Sequence, residues 1–134
     1  MVLSWRVLGI LTACLLAASS LLGLQPQART LASGVFSPAQ ATRGQAVYTA
    51  RCASCHAPTL AGRTGPALAG DDFNANWAGQ PLLDLANKIR RTMPRDTSPR
   101  LSAQETADVL AFMLQTGKFP AGSADLSKIG RAHV

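Results

Sequence analysis

Apolar residues recur with a helical period between positions 80 and 93 of this 134-residue chain. They fall at positions i, i+3, i+4 and i+7, and they are Leu82, Leu85, Ala86 and Ile89. This spacing predicts an amphipathic helix that begins after Pro81. The helix should stop near Met93, because a residue that precedes a proline, here Pro94, is biased out of the helical conformation.

A second amphipathic helix is predicted after position 102 by a full set of end signals. Ser102 and Glu105 form a capping box, in which each side chain accepts a hydrogen bond from a free backbone N–H at the start of the helix. One face of the helix is apolar, and it consists of Ala103, Ala107, Leu110, Ala111 and Leu114. Gly117 supplies the expected stop.

A third helix is predicted from Pro38 to Arg51, with Ser37 as its N-cap and Pro38 in its first turn. The following stretch, 56–73, is rich in glycine and proline, which is typical of a loop, with one helical turn near residues 71–73. No window alternates between apolar and polar residues for long enough to build a sheet. The sequence therefore predicts an all-α fold of about three principal helices joined by long loops.

The amino-terminal residues differ from the rest of the chain. Arg6 is followed by 18 uncharged, mostly apolar residues, 7–24, which match a secretory signal and reach the lower length limit of a membrane span. We expect export to the periplasm with a cleaved leader, and the alternative is an anchor in the membrane. The sequence around Cys14 resembles a lipoprotein processing site. The favoured interpretation is that Cys14 is simply a small apolar residue of the targeting helix. The chain thus divides into leader and tether, 1–34, and one domain, 35–134.

From position 35 onward the chain has eleven Lys and Arg against seven Asp and Glu, a net charge of +4. This excess is scattered, so it does not form the basic stripe of a nucleic-acid-binding protein. The densest basic group consists of Lys88, Arg90, Arg91, Arg95 and Arg100. A solvated helix face and loop is the favoured interpretation of this group, and a docking patch for an acidic partner is the less favoured one.

Cys52, Cys55 and His56 form the closely spaced cysteine motif of the sequence. A structural zinc site needs four ligands, and the other histidine, His133, stands near the carboxyl terminus. A redox dithiol is expected at the start of a helix after a strand, and a disulfide here would close a small loop and stabilise little. Covalent haem attachment is the specific meaning of Cys-x-x-Cys-His, because thiols at this spacing reach both vinyl groups on one porphyrin edge.

Together these features resemble the small class I bacterial cytochromes c over most of the domain. The stretch GQAVYTARCASCH is similar to the first helix of that family, with Gly44 and Tyr48 at the positions that cross the last helix, where Phe112 is the aromatic partner. The GPAL stretch resembles the loop whose proline, here Pro66, accepts a hydrogen bond from Nδ1–H of the axial histidine. Met93 occupies the Met-Pro position of the sixth iron ligand.

The resemblance implies a cytochrome c fold wrapped around one covalently bound haem, with His56 and Met93 as axial iron ligands. Two rival sixth ligands are weaker. Met113 lies within a predicted helix, where a methionine is most often core filler, and His133 lies outside the family-like region. A thioether ligand favours reduced iron and therefore raises the reduction potential.

A bound haem would fill a core that is otherwise thin, since the chain has four Phe, one Tyr and two Trp. Residues expected in the walls of its crevice, with ordinary helix packing as the equal alternative, are Leu68, Phe73, Trp77, Leu82, Leu85, Ile89 and Val109. Candidates for contact with a haem propionate are Trp77, Asn74 and Asn76.

The predicted function is that of a one-haem electron carrier and not an enzyme, because His/Met ligation leaves no open site on the iron. Its partners would be redox proteins that donate and accept electrons, such as a dehydrogenase or a terminal oxidase. An alternative is a fixed cytochrome subunit of a membrane or periplasmic dehydrogenase, whose segments the stretch FPAGSADL loosely resembles. A peroxidase or gas sensor fits only if Met93 is not bound to iron.

Overall fold

The computed structural model describes residues 30–96 and 98–126. This part of the chain forms five helices, in the order α1 Pro38–Arg51, α2 Ala53–His56, α3 Asp71–Trp77, α4 Leu82–Thr92 and α5 Ala103–Thr116. No strand occurs in these two ranges, and the predicted all-α class is confirmed. None of the helices found there is long and apolar enough to cross a membrane. The apolar run 7–24 with Cys14, and the rival ligand His133, lie outside the described residues.

Helices α1 and α5 begin at the caps that the sequence predicts. Ser37 Oγ accepts a hydrogen bond from the backbone N–H of Gln40 at 3.1 Å. At the start of α5, Ser102 Oγ accepts from the Glu105 N–H at 3.1 Å, and the Glu105 carboxylate accepts from the Ser102 N–H at 2.8 Å. These bonds satisfy donors that a helix start leaves free, and the bonds from Ser102 hold the pKa of Glu105 below its usual range.

Helix α5 ends at Gly117, as the sequence predicts. Gly117 is the C-cap, but its φ is −73°, and the left-handed conformation belongs to Lys118, with a φ of 61°. A Cβ atom on Gly117 would lie 3.0 Å from the ring of Phe119. A side chain at this position would require the Phe119 ring to shift, and the chain turns one residue later.

The crossing of α1 and α5 organises the fold. Gly44 lies against the backbone of α5, where a Cβ atom would overlap the carbonyl oxygen of Asp108 and lie 3.1 Å from the Phe112 Cβ. One turn along α1, the rings of Tyr48 and Phe112 pack with centroids 5.2 Å apart and planes tilted by 51°. Such aromatic pairs contribute about 0.5–1.5 kcal/mol beyond the area they bury. The contact of Gly44 and Tyr48 with Phe112, which the family resemblance implied, is therefore present in the structure.

The predicted apolar faces are buried, with small differences. On α4 the buried residues are Leu82, Leu85, Ala86 and Ile89. On α5 four residues of the predicted face are buried, and they are Ala107, Leu110, Ala111 and Leu114. Ala103 is exposed, because it is the first residue of α5 and precedes the crossing with α1. The turn predicted at 71–73 continues as a helix to Trp77, where the Ala78 N–H donates to the Asn74 carbonyl at 2.8 Å.

The segment after α5 folds back over the start of α1. The Gln40 side chain binds both backbone groups of Leu126, accepting from its N–H at 2.5 Å and donating to its carbonyl at 3.2 Å. The Gly122 N–H donates to the Phe36 carbonyl at 2.7 Å. Arg43 pairs with Asp125 at 2.5 Å, and the Ser37 hydroxyl donates to the same carboxylate. The two ends of the described domain therefore lie side by side.

Candidate functional site

A cavity of about 780 Å³ opens between the helices and the long loops. This volume is within the range of about 300–1,000 Å³ that cofactor and ligand pockets occupy. Six of the seven expected wall residues line it, and they are Leu68, Phe73, Trp77, Leu85, Ile89 and Val109. The seventh, Leu82, was expected in the cavity wall but does not line it. It lies in the first turn of α4 and is buried in the core, which is the alternative of ordinary helix packing. Met113 of α5 also lines the cavity.

His56 presents its ring to this cavity in a fixed orientation. Its side chain is 7% exposed, and Nδ1 lies 2.8 Å from the carbonyl oxygen of Pro66. That carbonyl can only accept, so Nδ1 carries the proton and Nε2 has the free lone pair that a metal ligand needs. The expected bond between these two residues is thus present.

Gly65 is a site residue to which the sequence interpretation assigned no role. A Cβ atom at this position would lie 2.7 Å from His56 Cε1 and 2.9 Å from Nδ1. The backbone of the loop can pass beside the imidazole only because residue 65 has no side chain. The Gly65 N–H also donates to the Cys55 carbonyl at 2.9 Å, which fastens the loop to the cysteine motif.

Cys52 and Cys55 line the cavity as free thiols. Cys52 is the C-cap of α1 with a φ of −127°, and its carbonyl accepts from the N–H groups of Cys55 and His56 at 3.1 and 3.0 Å. The motif therefore forms a separate helical turn, α2, after a break in the chain direction. Cys52 is half-buried and Cys55 is exposed, so the pair reaches from the cavity wall to solvent.

The competing interpretations of the cysteines gain no support from this geometry. Burial raises the pKa of Cys52 to about 11, whereas redox dithiols depend on a thiol whose pKa is lowered. No group of three or more His, Cys, Asp and Glu side chains that could hold a metal ion is present in residues 30–96 and 98–126. A zinc site would need four such ligands.

Met93 directly follows α4 and begins a loop whose described residues, 93–96 and 98–101, we call the Met93 loop. It is half-buried and lines the cavity that His56 also lines. Arg100 Nη1 donates to the Pro94 carbonyl at 2.5 Å, and the Arg51 guanidinium donates to the Pro99 carbonyl. Both arginines were missed as site residues, because from sequence alone they belong to a solvated surface.

The three residues expected near a propionate differ in position. Trp77 and Asn76 line the cavity, and Asn76 Nδ2 donates to the Asp72 carbonyl at 2.8 Å. Asn74 does not line it. Its Oδ1 is nevertheless a buried side-chain oxygen without a hydrogen-bond partner among the described residues. Contact of any of these residues with a propionate stays a prediction.

The donor set and the apolar walls fit a haem that is attached through both cysteines. The cavity combines two thiols, one imidazole with a free Nε2, and two methionine thioethers, in a size suited to a cofactor. Residues 39–113, more than half of the chain, match the protein family described as cytochrome C oxidase, cbb3-type, subunit III. The chain belongs to this family of cytochrome c domains.

The cytochrome c domain is also similar to part of a larger protein. The cytochrome bc1 complex cytochrome c subunit of Corynebacterium efficiens is 31% identical over an alignment of 107 residues, which covers 72% of this chain and 33% of that protein. The chain thus spans about a third of the length of the curated relative that it matches. No solved structure matches it.

Family membership confirms the cytochrome c fold and the predicted absence of enzymatic activity. A cytochrome c domain is an electron carrier, and its Cys-x-x-Cys-His motif implies that haem is bound covalently.

Tyr48 connects α1 to the residue after His56. Its hydroxyl donates to the backbone carbonyl of Ala57 at 2.6 Å, and Ala57 has a left-handed φ of 62°. The Tyr48 side chain is 1% exposed, and its burial raises its pKa from near 10 to about 12. The bond thus holds a backbone position next to the imidazole in a conformation that L-residues rarely adopt.

This pKa shift predicts a loss of stability at alkaline pH. As the pH rises from about 10 to about 12, the unfolded state releases the phenol proton while the folded state keeps it, so the free energy of unfolding falls. Two pKa units correspond to a loss on the order of 2 kcal/mol. Tyr48→Phe should lack this component and be about 1 kcal/mol less stable at neutral pH. Urea unfolding of the native and Tyr48→Phe holoproteins across this pH range tests both expectations. Parallel pH profiles of the two proteins would contradict the alkaline loss of stability attributed to Tyr48.

Proposed function

We propose that this cytochrome c domain carries one haem with His56 and Met93 as axial ligands and transfers single electrons outside the cytoplasm. The observation that supports this most directly is that Cys52, Cys55, His56 and Met93 all line one cavity. The chain has a single Cys-x-x-Cys-His motif, which supports one haem.

Each residue at the cavity has a separate task in this proposal. Cys52 and Cys55 hold the haem through two thioether bonds, and His56 binds the iron through Nε2 while Pro66 keeps the ring in place. Leu68 and the other apolar wall residues keep water away from the iron. When bound, the haem supplies an iron that takes up and releases one electron, and a methionine thioether favours the reduced form.

Met93 is favoured over Met113 as the sixth ligand, although both line the cavity. Met113 is 2% exposed and lies within α5, where a methionine usually fills the core. Met93 follows α4 in extended backbone, with φ −122° and ψ 149°, and its side chain also borders a smaller pocket. It therefore has more freedom to meet an iron. With both axial positions occupied by protein, no open position remains for a substrate.

Paired methionine variants test the ligand assignment. Met93→Ala is expected to abolish the absorption band of ferric Met-ligated haem, to lower the reduction potential, and to let the reduced protein bind carbon monoxide rapidly. The potential falls because a ligand that favours ferrous iron is removed, and axial ligands tune haem potentials over about 0.8 V. Met113→Leu keeps the volume of the wall and should retain the band. Loss of the band in Met113→Leu and its survival in Met93→Ala would reverse the assignment.

Electron exchange would take place where the cysteine motif reaches solvent. Cys55 is exposed, and the cations that line the same cavity are Arg51, Lys88 and Arg95, together with the anions Asp72 and Asp96. The surplus of positive charge would attract an acidic redox partner and raise the rate of encounter. Such partners include a dehydrogenase, a terminal oxidase or a bc1-type complex.

A second candidate is that the domain is a fixed subunit of a respiratory complex. The observation that favours it is that both the matching family and the relative from Corynebacterium efficiens are described as complex subunits. Fractionation of cells that make the native chain separates the candidates. A free carrier is released with the periplasmic contents and elutes as a small protein, whereas a subunit stays with the membrane in a large assembly. Mass spectrometry of the same material would report the haem adduct and whether residues 7–24 are retained.

A further inference from the structure

We infer that Arg51 and Arg100 are positioning residues that keep Met93 on the wall of the haem cavity. The inference rests on the proposed role of Met93 as the sixth ligand. It is carried by two hydrogen bonds from guanidinium groups to carbonyls of the Met93 loop.

The Met93 loop has little backbone bonding of its own. No backbone-to-backbone hydrogen bond involves residues 94–96 or 98–101 within the part of the chain that the structure describes, and the last bond before them joins the Met93 N–H to the Ile89 carbonyl at 2.9 Å. Pro94 and Pro99 have no N–H to donate. The position of the loop therefore depends on side chains. Asp96 closes one local turn by accepting from the Ser98 N–H at 2.9 Å.

Arg100 holds the first part of the loop. Its Nη1 donates to the carbonyl of Pro94 at 2.5 Å in a partly buried bond, and Pro94 is itself buried directly after Met93. The bond closes the loop on itself from residue 100 to residue 94. It thereby restricts the backbone on the carboxyl side of Met93.

Arg51 joins the loop to the cysteine motif. It is the last residue of α1, directly before Cys52, and its guanidinium donates to the carbonyl of Pro99, 48 residues along the chain. Arg51 also lines the cavity. The segment that would hold the haem and His56 is therefore connected by one side chain to the loop that presents Met93.

Loss of either bond should allow the loop to move away from the cavity more often. Hydrogen bonds that involve a charged group typically favour the bonded arrangement by tenfold or more, and partial exposure reduces this effect. We expect the open arrangement, in which Met93 is off the iron, to become about tenfold more populated in each variant. The two bonds act on different parts of the loop, so the double variant should exceed either single one.

The experiment uses the full-length holoprotein and six variants, one of which combines Arg51→Met with Arg100→Met. Arg51→Met and Arg100→Met remove the donors, and Arg51→Lys keeps a donor and the charge. Arg100→Ala also removes the donor and replaces Arg100→Met if that variant fails to fold. Arg63→Met is the charge control, because Arg63 is exposed in the loop after α2 and no side-chain bond links it to the described part of the Met93 loop.

Two readouts separate positioning from general stability and from charge. One is the temperature dependence of the Met-ligation band of the ferric protein, and the other is the rate of carbon monoxide binding to the reduced protein. We expect Arg51→Met and Arg100→Met to bind carbon monoxide about tenfold faster than the native protein. Arg51→Lys and Arg63→Met should stay close to the native rate.

The outcomes distinguish this inference from the ligand assignment. If Met93→Ala loses the band while Arg51→Met and Arg100→Met keep the native band and rate, Met93 is the ligand and the positioning role is wrong. If Met93→Ala keeps the band, the proposed ligation itself fails. An equal rate increase in Arg63→Met would assign the effect to charge and would also overturn the positioning role.

Discussion

Replacing Cys52 and Cys55 together by alanine is expected to yield a chain that carries no covalent haem and does not reach its native packing. The cavity that these residues border has a volume of about 780 Å³. At about 24 cal/mol per Å³, an empty cavity of that size would cost on the order of 10–20 kcal/mol, and entry of water through its open side reduces this figure. The free energy of folding of a whole domain is only about 5–15 kcal/mol. The haem therefore decides whether the core is complete.

Mass spectrometry of the denatured protein and circular dichroism of the native one test this expectation. Ser54→Ala is the matched control, because Ser54 is exposed between the two cysteines and its replacement leaves the attachment chemistry intact. The control should carry one haem adduct and unfold in a single transition. A double variant that shows native helix content and a cooperative unfolding transition without haem would refute the expectation.

Gly44→Ala should be strongly destabilising, by about 3 kcal/mol or more, although alanine is the better helix former. The added Cβ would overlap the carbonyl oxygen of Asp108, which is a backbone atom of α5 and cannot rotate away. The helices must separate, and the packing between Tyr48 and Phe112 is disturbed with them. Overpacking of this kind costs about 1–3 kcal/mol where side chains can adjust, and more where they cannot.

The sign of this effect is informative. At an exposed position in a helix interior, Gly→Ala stabilises by about 0.5–1 kcal/mol, so destabilisation reports the crossing of α1 and α5. Gln45→Ala, at the neighbouring exposed position of α1, should change the free energy of unfolding by less than about 0.5 kcal/mol. Chemical denaturation of the three holoproteins provides the comparison. A Gly44→Ala protein as stable as the native one would show that the two helices are not in close contact.

Short-range rules explain the parts of the fold that were predictable from sequence. The capping box of Ser102 and Glu105 and the end of α4 before Met93 depend on residues a few positions apart. The meeting of Gly44 with α5 has no local signal, and only the family resemblance indicated it. The end of α5 at Gly117 was placed correctly, whereas the left-handed φ of 61° at Lys118 was not predicted.

The part of the candidate site that could be predicted is the part whose functional residues are close together in the sequence. Cys52, Cys55 and His56 are close together in sequence, whereas the wall residues depend on where each helix meets the cavity. Periodicity showed that Leu82 is buried but not that it faces the core away from the cavity. Arg51 was missed because its partner, the Pro99 carbonyl, is 48 residues away and an arginine is normally solvated.

The bonds of Gln40 to Leu126 and of Gly122 to Phe36 bring the two ends of the described domain together. None of residues 30–50 or 114–126 lines the cavity. Domains whose ends adjoin tolerate fusion and insertion into longer polypeptides. The described ends of this domain therefore adjoin at a place that does not border the cavity. This arrangement of the ends suits a redox domain that is built into a longer polypeptide.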